Sequence, residues 1–461
     1  MDPLLSKFPP LNLKHRVVLA PLTRMRSTTP QVSKDDMRNN GARYDLSGLE
    51  ATPAMAEYYG QRASEGGLLI SEAVAVEPLG VGITNIPGMY TRRHSDSWIQ
   101  VTNKVHQLHP SCKIFAQLWH TGRLSHSSYH GGKMTVSSSA TPFPEPDKTK
   151  MPGYTLSRTQ TPLGPLSHEP ARPMNVDEIQ EVIQHYGNAA QFAKDAGFDG
   201  VSIHGAHGYL VEQFLSSSVN KRTDMYGGGN NISEVYQNRC RFLFEILEKV
   251  IAVWNNDTSC VGLRLSPSTS ENSSQQGTQA YIMYGQTDDT KGAIYNYCIK
   301  KIAKRFPNLG YLLLTEPRWD PIAERRGAKD VNAGDANLAG AIAKKYRSLY
   351  PYTLMSAGGY SPNQAREMIE NNHADLIGFG RWFISNPDLP ERIKLNKPFT
   401  RYERKTFYGY NAEPGGDLGY LDYPDWKGSF GDASKLQTAI PQEYIELGSS
   451  LVAIDEAVSK L

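Results

Sequence analysis

His204, His207 and Tyr209 follow one another in a single short run, Asp199-Gly-Val-Ser-Ile-His-Gly-Ala-His-Gly-Tyr-Leu210. Val201 and Ile203 give the run the look of a short strand, so two imidazoles and a phenol fall at its carboxyl end. Strands of α/β barrels present catalytic residues at that end. Two neutral imidazole N–H groups can hold one oxygen, and a nearby phenol can give up a proton. Polarising a carbonyl and protonating a carbon is half of a reduction. The hydride has to come from elsewhere.

Other strand candidates also end in residues able to do chemistry. The first runs into Ala20-Pro21-Leu22-Thr23-Arg24, the third ends Gln117-Leu118-Trp119-His120, and the fifth carries Arg264. The seventh ends in Ala357-Gly358-Gly359 and the eighth in Gly378-Phe379-Gly380-Arg381. Glycines there match the place where barrels bind a phosphate, because bare backbone can approach the anion. Each residue also has a plainer reading. His204 and His207 at i, i+3 could ligate zinc with His120 as a third ligand. Arg264 could pair with a barrel carboxylate, Tyr209 could be a half-buried core residue, and Trp119 could be core filling. The glycines could be ordinary turns.

Some framework must bring these ends together. Short apolar strands are expected at Val17–Ala20, Leu68–Glu72, Ile114–Trp119, Gly200–His204, Val261–Ser266, Tyr311–Thr315, Thr353–Ala357 and Leu376–Gly380. Amphipathic helices alternate with them, such as Val176–Gly197, whose apolar stripe follows a cap at Asn175 and Glu178. Eight β-then-α units predict a closed α/β (β/α)8 TIM barrel, with a doubly wound open sheet as the rival. No Gly-x-Gly-x-x-Gly opens the first unit, which counts against a dinucleotide Rossmann domain. Three segments fall outside the rhythm: Asp35–Ala51, the Pro/Ser/Thr-rich Ser137–Pro173, read as a long surface loop, and everything beyond Pro424. The expected division is therefore a barrel over 1–424 and a C-terminal extension over 425–461.

The 461 residues can bury a large core, and a net charge of +2 with interspersed signs gives no footprint for nucleic acid. Cys112, Cys240, Cys260 and Cys298 stand far apart with no paired metal spacing, which favours a reduced setting. No stretch approaches the length of an apolar membrane span, and the first residues lack a secretory apolar core.

The motifs taken together resemble the Old Yellow Enzyme family of FMN-dependent ene-reductases, most closely its 12-oxophytodienoate reductase branch. The resemblance runs from about Leu4 to Pro424. It is carried by Ala-Pro-Leu-Thr-Arg at 20–24, Met-Ala-Glu-Tyr-Tyr at 55–59, Gln-Leu-Trp-His at 117–120 and Ala-Gly-Phe-Asp-Gly at 196–200. His-Gly-Ala-His-Gly-Tyr-Leu at 204–210, Arg-Thr-Asp at 222–224 and Asn-Pro-Asp-Leu-Pro at 386–390 complete it, in the family's order. The resemblance implies non-covalent FMN, NADPH as hydride donor and a small-molecule enone as substrate, in a monomer or homodimer. It implies that Pro21, Leu22, Thr23, Ala73, Gln117 and Arg264 surround the flavin ring, with Gly358, Gly359, Gly380 and Arg381 at its phosphate. His204 and His207 would grip the substrate oxygen, Tyr209 would protonate the α-carbon, and Ile83, Trp119 and Tyr408 would line the substrate pocket. A metal-dependent hydrolase and a catalytically silent flavin-binding protein stay open beside this reading.

Four departures from the family stand out. Gly82-Ile83 replaces a Gly-Tyr pair, Asp35–Ala51 is long, and Asn230 to Tyr236 are added, which is expected to lengthen a loop near the site. The fourth is the tail. It ends Ser459-Lys460-Leu461, the tripeptide read by the peroxisomal import receptor, so a peroxisomal location is expected, with a cytoplasmic one as the alternative. The bland reading of that tail is a helical stripe of Leu451, Ile454 and Val458 docked on the barrel.

Overall fold

A computed structural model of the protein describes residues 2–28, 48–141, 158–161, 164–267, 292–316, 340–409 and 418–445. The tail stripe and Ser459-Lys460-Leu461 lie outside these residues, as does most of Asp35–Ala51. Eight parallel strands close into a barrel: β1 (Val17–Leu19), β2 (Leu68–Ala75), β3 (Lys113–Trp119), β4 (Gly200–Gly205), β5 (Val261–Leu265), β6 (Tyr311–Thr315), β7 (Leu354–Ala357) and β8 (Leu376–Phe379). Each strand pairs with its neighbours in sequence, and β1 closes the ring by pairing with both β2 and β8. The open-sheet rival is thereby excluded. Nearly every strand residue is buried, because the outer faces are covered by helices and the inner faces fill the barrel.

The helices that follow the strands are α1 (Pro53–Arg62), α2 (Arg92–Leu108), α3 (Val176–Asp195), α4 (Ile232–Val253), α5 (Ala293–Arg305), α6 (Ala341–Arg347), α7 (Pro362–Glu370) and α8 (Leu389–Lys394). α3 starts as expected: the Asn175 side chain accepts the Glu178 N–H and the Glu178 carboxylate takes the Asn175 N–H. That reciprocal cap satisfies two donors that a helix start otherwise leaves unpaired. Its stripe of Ile179, Val182, Ile183, Tyr186, Ala190 and Ala193 is buried.

The barrel floor is plugged by the chain's own start. Phe8, Leu11 and Leu13 join Val18, Leu68, Ile70, Phe115, Tyr311, Leu313, Met355 and Leu376 in one apolar cluster inside the ring. Two of the interior positions must be glycine. A Cβ on Gly200 would lie 2.6 Å from the Phe115 ring and one on Gly262 2.3 Å from the Tyr311 ring. Among the described residues apolar side chains thus fill the floor, which leaves the carboxyl ends of the strands to face a ligand.

Two expectations need correction. Ser137–Pro173 contains a hairpin of Arg158–Thr161 with Gly164–Ser167, and Val136–Ser137 pairs with Arg172–Pro173. Their polar, Pro- and Gly-bearing sequences hid these strands, because runs of two to four such residues show no apolar period. The added residues Asn230 to Tyr236 do not simply lengthen a loop. Asn231 caps α4 by accepting the Glu234 N–H at 3.0 Å, so Ile232 onward is helix. At the other end, residues beyond Pro424 stay on the barrel: Phe399 and Ile440 exchange backbone hydrogen bonds, and Gln442 donates to the Arg392 and Lys397 carbonyls.

Candidate active site

β4 delivers His204 at its last turn into the barrel mouth, and the chain then folds back so that three rings meet. The His204 ring centroid lies 5.3 Å from that of His207 and 5.1 Å from that of Tyr209, edge-on to both. Tyr209 also packs edge-on against Trp119, at 4.9 Å. Folding back this tightly requires left-handed backbone at two successive residues, His207 (φ 60°) and Gly208 (φ 81°). Glycine takes that conformation freely; histidine does so at a cost that its surroundings must offset.

Burial and the nearby Arg264 cation hold both imidazoles well below the usual histidine range, so both are neutral near pH 7. The Ala206 N–H donates to His204 Nδ1 at 3.3 Å, which leaves the proton on Nε2. His207 Nε2 is buried and has no hydrogen-bond partner among the described residues. A buried polar nitrogen left unsatisfied is costly, and here it points to an absent oxygen ligand. His120 does not join this pair. Its Nδ1 accepts the Gly122 N–H at 2.9 Å and its Nε2 donates to Glu77 at 3.1 Å, so the third ligand that the alternative zinc reading needs is engaged elsewhere. Among the described residues no group of three or more His, Cys, Asp or Glu side chains is placed to hold a metal.

Beside the histidines lies a polar strip. Arg264 sits opposite His204 in the β4–β5 register, and its guanidinium donates to Thr315 Oγ1 at 3.3 Å and to Gln117 Oε1 at 3.4 Å. Burial lowers its pKa to about 10, which still leaves it charged at neutral pH. No carboxylate pairs with it among the described residues, so the barrel-carboxylate reading fails. An uncompensated cation here favours an anion above it. Gln117 faces Ala73 across β2 and β3, just beyond a register shift in β2. At the shift the Ser71 hydroxyl accepts the Gln117 N–H at 3.0 Å and donates to the Glu72 carbonyl. Such a bulge re-aims side chains. It turns Glu72 to accept the Arg24 and Met25 N–H groups, both at 3.3 Å, and so fixes the chain just after Thr23.

The rim is closed by β1, β7 and β8. Pro21 is buried, whereas Leu22, Thr23, Gly358, Gly359, Gly380 and Arg381 are half-exposed at the carboxyl ends. Gly359 has φ 79°, and a Cβ there would come within 2.9 Å of Arg381 Nη2, so bare backbone and guanidinium share one spot. Gly358 is bare for another reason: a Cβ would lie 2.3 Å from that of Glu316. A Cβ on Gly380 would touch Leu22. On the opposite side Ile83 and Tyr209 pack on an apolar cluster with Met25, Val81, Trp119 and Tyr129. Tyr408 is 38% exposed, and its neighbour Gly409 donates its N–H to the Arg24 carbonyl.

Sequence reasoning missed the buried glutamates behind these loops. Glu72, Glu212 and Glu316 are all buried, and each accepts backbone N–H groups at the barrel mouth. Only a charged residue inside an otherwise apolar run could have signalled them, as Glu72 does in Leu68–Ala75.

The family model described as the NADH:flavin oxidoreductase / NADH oxidase family matches residues 3–399. The chain is 36% identical to 12-oxophytodienoate reductase 7 of Oryza sativa subsp. japonica, over 92% of this chain and 94% of that protein. It is likewise 36% identical to the flavin oxidoreductase hxnT of Emericella nidulans, over 92% and 98%. Among solved structures, morphinone reductase in complex with tetrahydroNAD aligns with a TM-score of 0.69 at 31% identity, covering 92% of this chain and 97% of that one. The old yellow enzyme homologue from Zymomonas mobilis aligns with a TM-score of 0.69 at 30% identity, over 91% and 99%. With a family match across most of its length and relatives this similar end to end, the chain belongs to the Old Yellow Enzyme family of FMN-type flavin oxidoreductases, on the side of the 12-oxophytodienoate reductases.

Proposed function

We propose that this protein uses NADPH and FMN to reduce the activated C=C bond of α,β-unsaturated carbonyl compounds, with cyclic lipid-derived enones as its substrates. The observation that carries the reading is the pair of neutral imidazoles, His204 and His207, with a buried, unpartnered Nε2 on His207. FMN fits the floor beside them. Arg264 offers an uncompensated cation and Gln117 an amide to the ring, Thr23 a hydroxyl, and Gly359 with Arg381 a bare-backbone and guanidinium spot for the phosphate. Held there by Arg264, Gln117, Thr23, Gly359 and Arg381, FMN would supply the hydride chemistry of the reduction.

The remaining work falls to the chain. His204 and His207 hold the carbonyl oxygen and stabilise the negative charge that develops on it, as neutral donors in a dry site do best. Tyr209, wedged between Trp119 and His204, protonates the α-carbon. A phenol is a weak acid, and the strongly basic enolate makes up for that. Similarity to a 12-oxophytodienoate reductase supports an enone substrate of that type, while NADPH as donor follows the family resemblance.

The test separates the two half-reactions by stopped flow. In Tyr209→Phe, flavin bleaching by NADPH should be unchanged, while reoxidation by an enone slows by about 10²–10⁴-fold, the usual worth of general-acid help. Equal slowing of both halves would make Tyr209 structural. Bleaching by NADH faster than by NADPH would reverse the coenzyme assignment.

A further inference from the structure

The left-handed turn that aims His207 is held from behind by a chain of hydrogen bonds. The His207 N–H donates to Ser266 Oγ at 2.9 Å, and that hydroxyl donates to Glu212 Oε1 at 3.0 Å. The next N–H, of Gly208, donates to Glu212 Oε2. Tyr295, on α5, donates its phenol to Glu212 Oε1. The Gly208 carbonyl is taken as well, by Gln213 Nε2 at 2.8 Å, and the same amide donates to the Thr121 carbonyl. Both peptide groups around the left-handed pair are thus fixed. The anchors come from the end of β5, from α5 and from the short helix Leu210–Leu215.

We propose that Glu212 is a positioning residue for the reduction, acting through Ser266 and Gly208 to hold His207 in its strained, substrate-facing conformation. This rests on the proposed role of His207 as a donor to the substrate oxygen. Glu212 is 5% exposed and does not join the ring cluster, so it acts through the turn and not on the substrate. A buried carboxylate able to accept three donors is the group that suits this spot. Removing it takes away the carboxylate to which the Gly208 N–H and two hydroxyls donate, and the turn relaxes toward the right-handed backbone that histidine prefers.

The probe is phenol, titrated into the FMN-loaded protein and read by the change in flavin absorbance. Glu212→Ala and Ser266→Ala should each weaken phenol binding by about 10-fold, in line with the worth of a buried hydrogen bond in this chain. Glu212→Gln should weaken it less, since its amide oxygen can face the Gly208 N–H and its NH2 the two hydroxyl oxygens. The deciding step repeats both alanine variants in a His207→Ala background. If Glu212 acts through His207, neither variant weakens binding further there. Additive losses, or loss of FMN from Ser266→Ala, would make the network a general brace and overturn the inference. An unchanged phenol affinity in His207→Ala alone would instead overturn the proposed function.

Discussion

On the proposed function, the side chain at position 83 should decide how much room the mouth has. Ile83 packs on the same apolar cluster as Tyr209, Trp119 and Tyr129, and on the proposed function it would form part of the wall facing the phenol. An aliphatic branch offers a lower, softer wall than an aromatic ring and has no hydroxyl to bond a ligand. Gly82 before it has no room for a side chain, since a Cβ would lie 2.7 Å from the Leu124 carbonyl oxygen. A bulky cyclopentenone should therefore outcompete cyclohexenone in the natural protein, and Ile83→Tyr should reverse or narrow that preference. Pocket contacts of this size shift kcat/KM ratios by roughly 10–200-fold. A mutant with unchanged selectivity in mixed-substrate turnover would remove Ile83 from the pocket.

Loops at the barrel mouth are held by buried glutamates, and this is how eight short strands support a precise site. Glu316, just past β6, accepts the Ile342 and Ala343 N–H groups that begin α6, each at 2.9 Å, and the Ser356 hydroxyl of β7. Its Cβ also occupies the space beside Gly358. The β7 loop is thereby set for Gly359 to meet Arg381. Gly359→Ala should lose FMN affinity by at least about 10-fold, because the methyl needs both a left-handed backbone and the place of a guanidinium nitrogen. Gly132 supplies the control. It has φ 84° but open space around its Cβ position, so Gly132→Ala carries the strain without the clash. Equilibrium dialysis of FMN against both variants checks this; equal affinities would place the phosphate elsewhere.

Across the whole molecule the histidines set how the fold responds to acid. Burial lowers the pKa of His15, His94, His130 and His168 to about 4 and those of His204 and His207 well below the usual value. His106 and His185 move up, beside Asp199 and Glu77. Between pH 6.5 and 4 the unfolded chain therefore binds more imidazole protons than the folded one. Stability is full above pH 6.5 and lost as pH falls, at about 1.4 kcal/mol per pH unit for each such group. Glu72, pushed up to about 7 by burial, opposes one of them, because it takes its proton first in the folded state. The thermal midpoint should fall steeply from pH 6.5 to 4; a flat midpoint by calorimetry would mean that these imidazoles are hydrated.

What the sequence determined by itself is the framework and the chemistry it presents. All eight strands were legible because buried parallel strands are short apolar runs between turns, and His204, His207, Tyr209, Gln117 and Arg264 showed at their ends as polar residues with no place in such runs. The capping of α3 was legible for the same local reason: the Asn175–Glu178 pair is a bond between near neighbours. What only the tertiary structure decided are the relations between distant residues. His120 leaves the histidine cluster for Glu77, Arg264 has no carboxylate partner among the described residues, and Glu212 meets Ser266 and Tyr295 from separate strands and helices. Hydrogen bonds of that kind have no period and no fixed spacing, because loop closure brings their partners together and nothing in the intervening sequence has to record it.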